Sequence, residues 1–245
     1  MAIELPMPDD ERYDLAFGMK ALQDAEPAYR QRKRVYDGKI EEFCRDPRVL
    51  QALQATQKAF IFKIAQIVVR AMCQRMKVTG IRVDDSAQDA WEAIEKANGL
   101  NGWIAEWQKR SFIYGDAFVK VWKIDNEEQP KISLCDLYKA RLIYDETGTR
   151  ELYSIERWET KVAGGLKKQW AELAYPARIE TWSCPVGVGP DDIHLWQLTP
   201  NELVERDPDT GERITTIVPA TQDNPWDEIP IKHLRNGLPY GVGEA

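Results

Sequence analysis

Around Gly115 the apolar residues change rhythm, and that change limits the chain to one broad class. Before it they recur every three or four residues, the period of a helix face. After it they tend to alternate, the period of a half-buried strand. The order of the two rhythms predicts an α+β chain: amino-terminal helices over 1–115, then an antiparallel β-rich region over 116–245.

The helical part reads as several segments. "PDDERYDLAFGMKALQDA" begins with acids, which oppose the positive end of a helix dipole, and Leu15, Met19 and Leu22 share one face. "EPAYRQRKRVYDGK" reads as a second helix, with Pro27 in its first turn and Gly38 as its stop. A longer helix is expected from about Gln57 to Arg75, with Phe60, Ile64, Ile67, Val68, Ala71 and Met72 in its apolar stripe. "VTGIRV" is a short strand candidate. Ser86, three residues before Asp89, suggests a capping box. Trp91 and Ile94 mark the inward face of that helix, and Gly99 ends it. Asn101 is the expected cap of the next helix, where Trp103, Trp107, Ser111 and Tyr114 align and Gly115 closes.

Beyond Gly115, "DAFVKVWKI" and "PKISLC" read as strands. "ARLIYDETGTRELYSIERWET", "KKQWAELAYPARIETWSC" and "DIHLWQLTPNELVERDPDTGERITTIV" read as hairpins with polar tips. Ile229 to Leu234 is a further strand-like run, followed by an Asn236-Gly237 turn.

Composition enters where it excludes things. With 43% hydrophobic and 30% charged residues the chain is globular. A net charge of −7 opposes tight, sequence-independent DNA binding, which needs many cations to displace phosphate counterions. "FIFKIAQIVV" is far short of the roughly 20 apolar residues a membrane span requires, and "MAIELPMPDD" has no secretory pattern. The four cysteines, Cys44, Cys73, Cys135 and Cys184, form no C-x-x-C pair and read as reduced, packed thiols.

No catalytic signature stands out, and no cofactor is expected. His194 and His233 sit in strand-like runs with no motif around them. Gly237, Gly241 and Gly243 lack the Gly-Lys-Ser/Thr of a phosphate-binding loop. "DPDTGE" begins like a calcium loop, but its twelfth position is Val218, so it reads as a hairpin turn around Gly211. The pairs Asp84-Asp85 and Asp191-Asp192 lie in loop or cap contexts, where adjacent side chains point apart. Arg30, Arg32, Lys33 and Arg34 form one basic cluster. It reads as a solvated helix face paired with acids such as Glu41 and Glu42, or as a contact for DNA or an acidic subunit. The tryptophans, six of the nine beyond residue 115, read as core. The alternative is a Trp-rich carbohydrate- or protein-binding β module.

Four stretches, taken in order, resemble the amino-terminal wing region of portal proteins from long-tailed, double-stranded DNA bacteriophages. "YRQRKRVYDGK", with Tyr36, Asp37 and Gly38, is similar to a segment that follows the first helices in that family. "FIFKIAQIVVRAMCQRMKVTGIRV" resembles a long helix running into a strand through Val-x-Gly at Gly80. "WQKRSFIYGDAFVKVW" resembles a helix ending in glycine, here Gly115, before a strand. "NPWDEIPIKHLRNGLPYGVGEA" resembles a Pro-led strand at Pro230, an Arg-Asn turn at Asn236 and a glycine-bounded approach to a helix at Gly241, Gly243 and Glu244. Many relatives carry Ser where this chain has Gly243. Lys161–Asp192 matches no family segment.

The resemblance implies a non-enzymatic structural subunit, truncated before a stem helix by engineering or by a broken frame. It implies a dodecameric ring at a capsid vertex, assembled in the host cytoplasm, through which DNA is packaged and ejected without being gripped. The implied partners are other copies of the subunit, terminase, capsid or scaffold protein and a head-tail adaptor. No membrane is involved.

Overall fold

The computed structural model describes residues 10–38, 48, 51, 64–75, 85–122, 129–161, 165–206 and 213–235. Over these residues the chain is α+β, with helices and antiparallel sheets. The helices are α1 (Tyr13–Tyr36), α2 (Ile64–Arg75), α3 (Gln88–Asn98) and α4 (Leu100–Tyr114). The long run of strands starts at Asp116, where the rhythm of the sequence changes. By contact, the chain divides differently from its secondary structure. One unit comprises Met1–Asp24, Tyr138–Lys232 and Pro239–Ala245, the other Ala25–Leu137 and His233–Leu238.

The first unit is a helix on a sheet. Its strands are β3 (Ala140–Tyr144), β4 (Glu151–Lys161), β5 (Lys167–Ala174), β6 (Arg178–Ser183), β7 (Gln197–Leu198), β8 (Asn201–Arg206), β9 (Arg213–Val218) and β10 (Thr221–Asp223). The main sheet runs β10-β6-β5-β4-β3, with β7 also on β6, and β8 pairs with β9 separately. All three expected hairpins are present as antiparallel pairs. Residues 207–212, the tip of the third, lie outside the described residues, as does the calcium-loop resemblance there.

The core of this unit is set by the amino-terminal half of α1. Leu15, Ala16, Met19 and Leu22 pack on Ile155, Leu173 and Trp182. Burying each large apolar side chain contributes about 1.5–3 kcal/mol. Close packing of the helix on β4 depends on Gly18. A Cβ there would lie 3.0 Å from Ile155 Cδ1 and 3.3 Å from both its Cβ and its Cγ2. Tyr153 and Tyr175 add polar ties: the first donates to the Asp14 carbonyl at 2.8 Å, the second to Asp14 Oδ2 at 2.7 Å. Burial first, and then the Asp14 charge, raises both phenols above their ordinary range. Tyr175 is also held through its backbone: the Asn224 amide donates to the carbonyls of Tyr175 and Glu228 at 2.7 and 2.8 Å.

The second unit holds the rest of α1, α2, α3, α4, β1 (Asp116–Trp122), β2 (Lys131–Leu134) and, from His233 on, β11 (Ile231–Arg235); the strand order is β11-β1-β2. α2 packs on α4, α3 on β2 and α4 on β1. Asn98, the last residue of α3, joins helix to sheet. Its amide donates to the Ile94 and Pro130 carbonyls at 2.9 and 2.8 Å, and its Oδ1 accepts from the Ile132 N–H at 2.7 Å.

Several local expectations are corrected. The two helices expected before Gly38 are one, Tyr13–Tyr36, with Pro27 inside it. An internal proline costs a helix about 3 kcal/mol. Here its ring is exposed, and buried Leu22 and Tyr29 anchor the helix on either side of it. Ser86 does not cap α3, because it sits inside a 3-10 turn, Asp85–Ala87, and Ala87 takes the cap position. Asn101 does not cap α4 either. Gly99, in the left-handed region at φ 59°, ends α3 and begins α4, leaving Asn101 one residue inside. His194 lies in a 3-10 turn, Ile193–Leu195, rather than a strand, whereas His233 is in β11. "VTGIRV" and residues 57–63 lie outside the described residues.

Two predictions follow from the first unit. Gly18→Ala gains about 1 kcal/mol of helix propensity but meets overpacking of about 1–3 kcal/mol, so urea denaturation is expected to show net destabilisation. In an Ile155→Val background, which removes Cδ1 but keeps Cβ and Cγ2, the cost of the same change should shrink. The second concerns Asp145, whose Oδ1 accepts from the Thr149 and Arg150 amides at 3.1 and 3.2 Å and from the Thr147 hydroxyl at 2.8 Å. The Thr147 hydroxyl, then the turn amides, hold its carboxyl below the ordinary 3.8. The turn is therefore fully tied above that value and released as pH falls through the lower, folded one. A carboxyl NMR titration should place the midpoint below 3.8, with the Thr149 and Arg150 amide shifts moving in step.

Candidate functional site

The basic stretch of α1 comes first, because sequence reasoning singled it out. Its four cations do not form one patch. The Arg30 guanidinium donates to Glu26, one turn back. Lys33 pairs with Asp37 at 3.1 Å. Arg32 lies on another side of the helix, where its guanidinium donates to the Tyr114 carbonyl at the end of α4. Arg34 is exposed. Glu26 and Asp37 thus pair with two of the cations, while Glu41 and Glu42 lie outside the described residues.

Arg32 reveals what "YRQRKRVYDGK" and "SFIYGDAF" have to do with each other. The last carbonyls of a helix lack intrahelical donors, and a cation there also meets the negative end of the dipole. Gly115 ends α4 at φ 81°, and its N–H donates to the Ser111 carbonyl at 2.9 Å. A Cβ on Gly115 would lie 3.1 Å from Arg32 Nη1. Glycine is required there both for its backbone conformation and for room beside the guanidinium.

The same junction carries a buried polar cluster. The Tyr29 hydroxyl donates to Asp116 Oδ2 at 2.7 Å, and His233 Nε2–H donates to Asp116 Oδ1 at 2.9 Å. The His233 ring is 4.5 Å from that of Phe118 and its side chain is only 3% exposed. One carboxylate at the start of β1 thus orients groups from α1 and β11. Neither histidine was expected to join α1 in this way; the cluster links residues 29, 116 and 233, too distant in sequence for any local motif to show it. Among the described residues no group of three or more His, Cys, Asp or Glu is placed to hold a metal ion. No described helix is long and apolar enough to cross a membrane.

Of the other positions singled out in the sequence, Tyr36 ends α1, Asp37 pairs with Lys33, and Gly38 follows in the left-handed region at φ 78°. Pro230 directly precedes β11. Gly80, Asn236, Gly241, Gly243 and Glu244 lie outside the described residues. Cys73, Cys135 and Cys184 are in no disulfide, the last two are buried, and Cys44 lies outside the described residues.

The broadest interaction feature is a helix face that sequence periodicity marked as apolar. Ala65, Gln66, Val69 and Cys73 are the half-buried row of α2. Ile64, Ile67, Val68 and Met72 lie outside that row and are 52%, 62%, 50% and 42% exposed. A helix apolar on more than one side normally has neighbours on more than one side. Trp226 is 37% exposed, but three other tryptophans behave otherwise. Trp170, Trp182 and Trp196 are at most 7% exposed, so they serve the core rather than a flat aromatic binding surface.

No protein-family model matches the chain, and no curated protein matches it.

Replacing Gly115 with Ala is expected to cost about 1–2 kcal/mol, from the left-handed backbone and the Arg32 contact together. Arg32→Ala should cost about 1.5–3 kcal/mol through the lost charged hydrogen bond. The double variant should cost less than the sum, because the steric part of the Gly115 effect disappears with the guanidinium. Equilibrium denaturation of all four proteins measures that coupling.

Proposed function

We propose that this chain is the wing portion of a bacteriophage portal subunit, a structural piece of the ring through which genomic DNA enters and leaves a capsid. The observation that carries the reading is the ordered resemblance of four sequence stretches to that family. The α4–Gly115–β1 junction agrees with it: a helix closes on a left-handed glycine and a strand begins at the next residue. So do the α+β order and the Pro-led β11.

In this reading the work of the chain is mechanical. It packs against neighbouring copies and the capsid shell and positions a stem helix, while a separate terminase supplies ATP-driven motion. The exposed apolar row of α2 suits lateral packing, because its burial between copies would remove large aliphatic side chains from water. The cations of α1 suit such a role less well, since Arg30, Arg32 and Lys33 already have partners within the chain. A net charge of −7 suits a conduit that must not hold its cargo. The subunit would reside at the portal vertex of the virion and in the host cytoplasm during assembly, meeting scaffold or capsid protein and a head-tail adaptor there.

Two measurements test this. Light scattering of the purified chain should give a folded monomer with weak, concentration-dependent association that Ile67→Glu reduces; a stable dimer indifferent to that change contradicts the packing role of α2. Gold-labelled antibodies against the chain should decorate a single vertex of proheads from its source phage. Labelling spread over the shell, or none, would overturn the portal assignment.

A further inference from the structure

We propose that a groove on the first unit, between the start of α1 and the β3–β4 turn, docks a basic, apolar peptide segment of another protein. Leu15, Met19 and Leu22 face the core, but Tyr13, Phe17 and Ala21 form a second row along α1, one turn apart. Tyr144, Leu152 and Tyr153 form the opposite wall. The half-open groove has a volume of about 480 Å³, within the usual size of a binding cleft, roughly 300–1,000 Å³. Phe17 and Leu152 remain 38% and 37% exposed. Tyr13 and Phe17 are stacked, with ring centroids 6.3 Å apart, so the groove offers aromatic surface as well as aliphatic.

Charge selects the occupant. Asp14, Asp145 and Glu146 are among the lining residues, and among the described residues no Lys, Arg or His lines it. Asp145 is kept ionised by its own turn, and Glu146 is exposed. Arg178, near Asp14, is engaged by Glu180 at 2.7 Å and lies over the Tyr175 ring at 4.2 Å. Carboxylates beside aromatic faces repel phosphate and attract a cation, and ring faces attract cations further. Lys and Arg side chains match such a lining along their whole length: an apolar stem for Tyr13 and Phe17, a charged head for the carboxylates. An aliphatic neighbour in the same peptide would cover Leu152. The overall charge of −7 would draw such a partner in from a distance. Two cations next to the groove in sequence already have acidic partners: Lys20 pairs with Asp24 at 2.6 Å and Arg12 with Glu11 at 3.4 Å.

The test uses fluorescence anisotropy of a short labelled peptide alternating leucine and arginine, added to the whole chain. Saturable binding that weakens with salt is expected. Phe17→Ala and Glu146→Lys should each weaken it about fivefold, equivalent to about 1 kcal/mol, with circular dichroism unchanged. Glu92→Lys, an exposed charge reversal on α3, should leave it unaltered. Glutamate in place of arginine should abolish binding, and serine in place of leucine should weaken it. Equal effects of Glu92→Lys and Glu146→Lys would overturn the proposal in favour of diffuse attraction to an acidic protein. So would phenyltrimethylammonium binding in the groove without peptide binding, or association of the chain with itself through that face.

Discussion

The packing of α1 on β4 is the contact on which the first unit depends. The helix supplies one apolar row, Leu15, Met19 and Leu22, and the sheet supplies Ile155 and Leu173 beneath it. Gly18 lets the two backbones approach until its missing side chain is filled by Ile155. That closeness brings Asp14 to Tyr153 and Tyr175, whose hydroxyls use the helix's first turn as acceptors. The apolar contact sets the depth of the helix, and the polar ties are then satisfied at that depth. It also dictates which side of α1 is left over, and so where Tyr13 and Phe17 meet the groove.

In the second unit the comparable role falls to polar groups at element ends. Arg32 satisfies the carboxyl end of α4, Asn98 that of α3, and Asp116 gathers Tyr29 and His233. A buried polar group left unpaired costs about 1–3 kcal/mol, so each of these side chains stabilises mainly by preventing that loss. The consequence for function is that part of the basic stretch on α1 is structural. Its sequence suggests a charged patch, while its geometry uses one guanidinium as a cap and two cations in pairs along the helix.

On the reading proposed above, the chain works through its surfaces. Two surfaces differ in character. The row on α2 is aliphatic and without lining charge from its own residues save the flanking Arg70 and Arg75, which suits a broad apolar contact. The groove beside α1 is aromatic and acidic, which suits a narrower, cationic partner. The first accords with a subunit that packs against copies of itself, the second with one that also receives a segment of something else.

The sequence by itself determined the α+β order, the apolar row of α1, the left-handed glycines at 38, 99 and 115 and the three hairpins, because each depends on residues close together in the chain. Local rules failed where a neighbour distant in sequence changed the outcome. Pro27 stays helical between two buried anchors; the miss at Asn101 was by contrast local, because Gly99 serves two helices at once. Periodicity marked the apolar row of α2 but could not say that it would face outward. Nor could spacing show Arg32 beneath Tyr114, or Asp116 between Tyr29 and His233. Only the tertiary structure decided these, because burial and hydrogen-bond satisfaction are settled by what lies nearby in space.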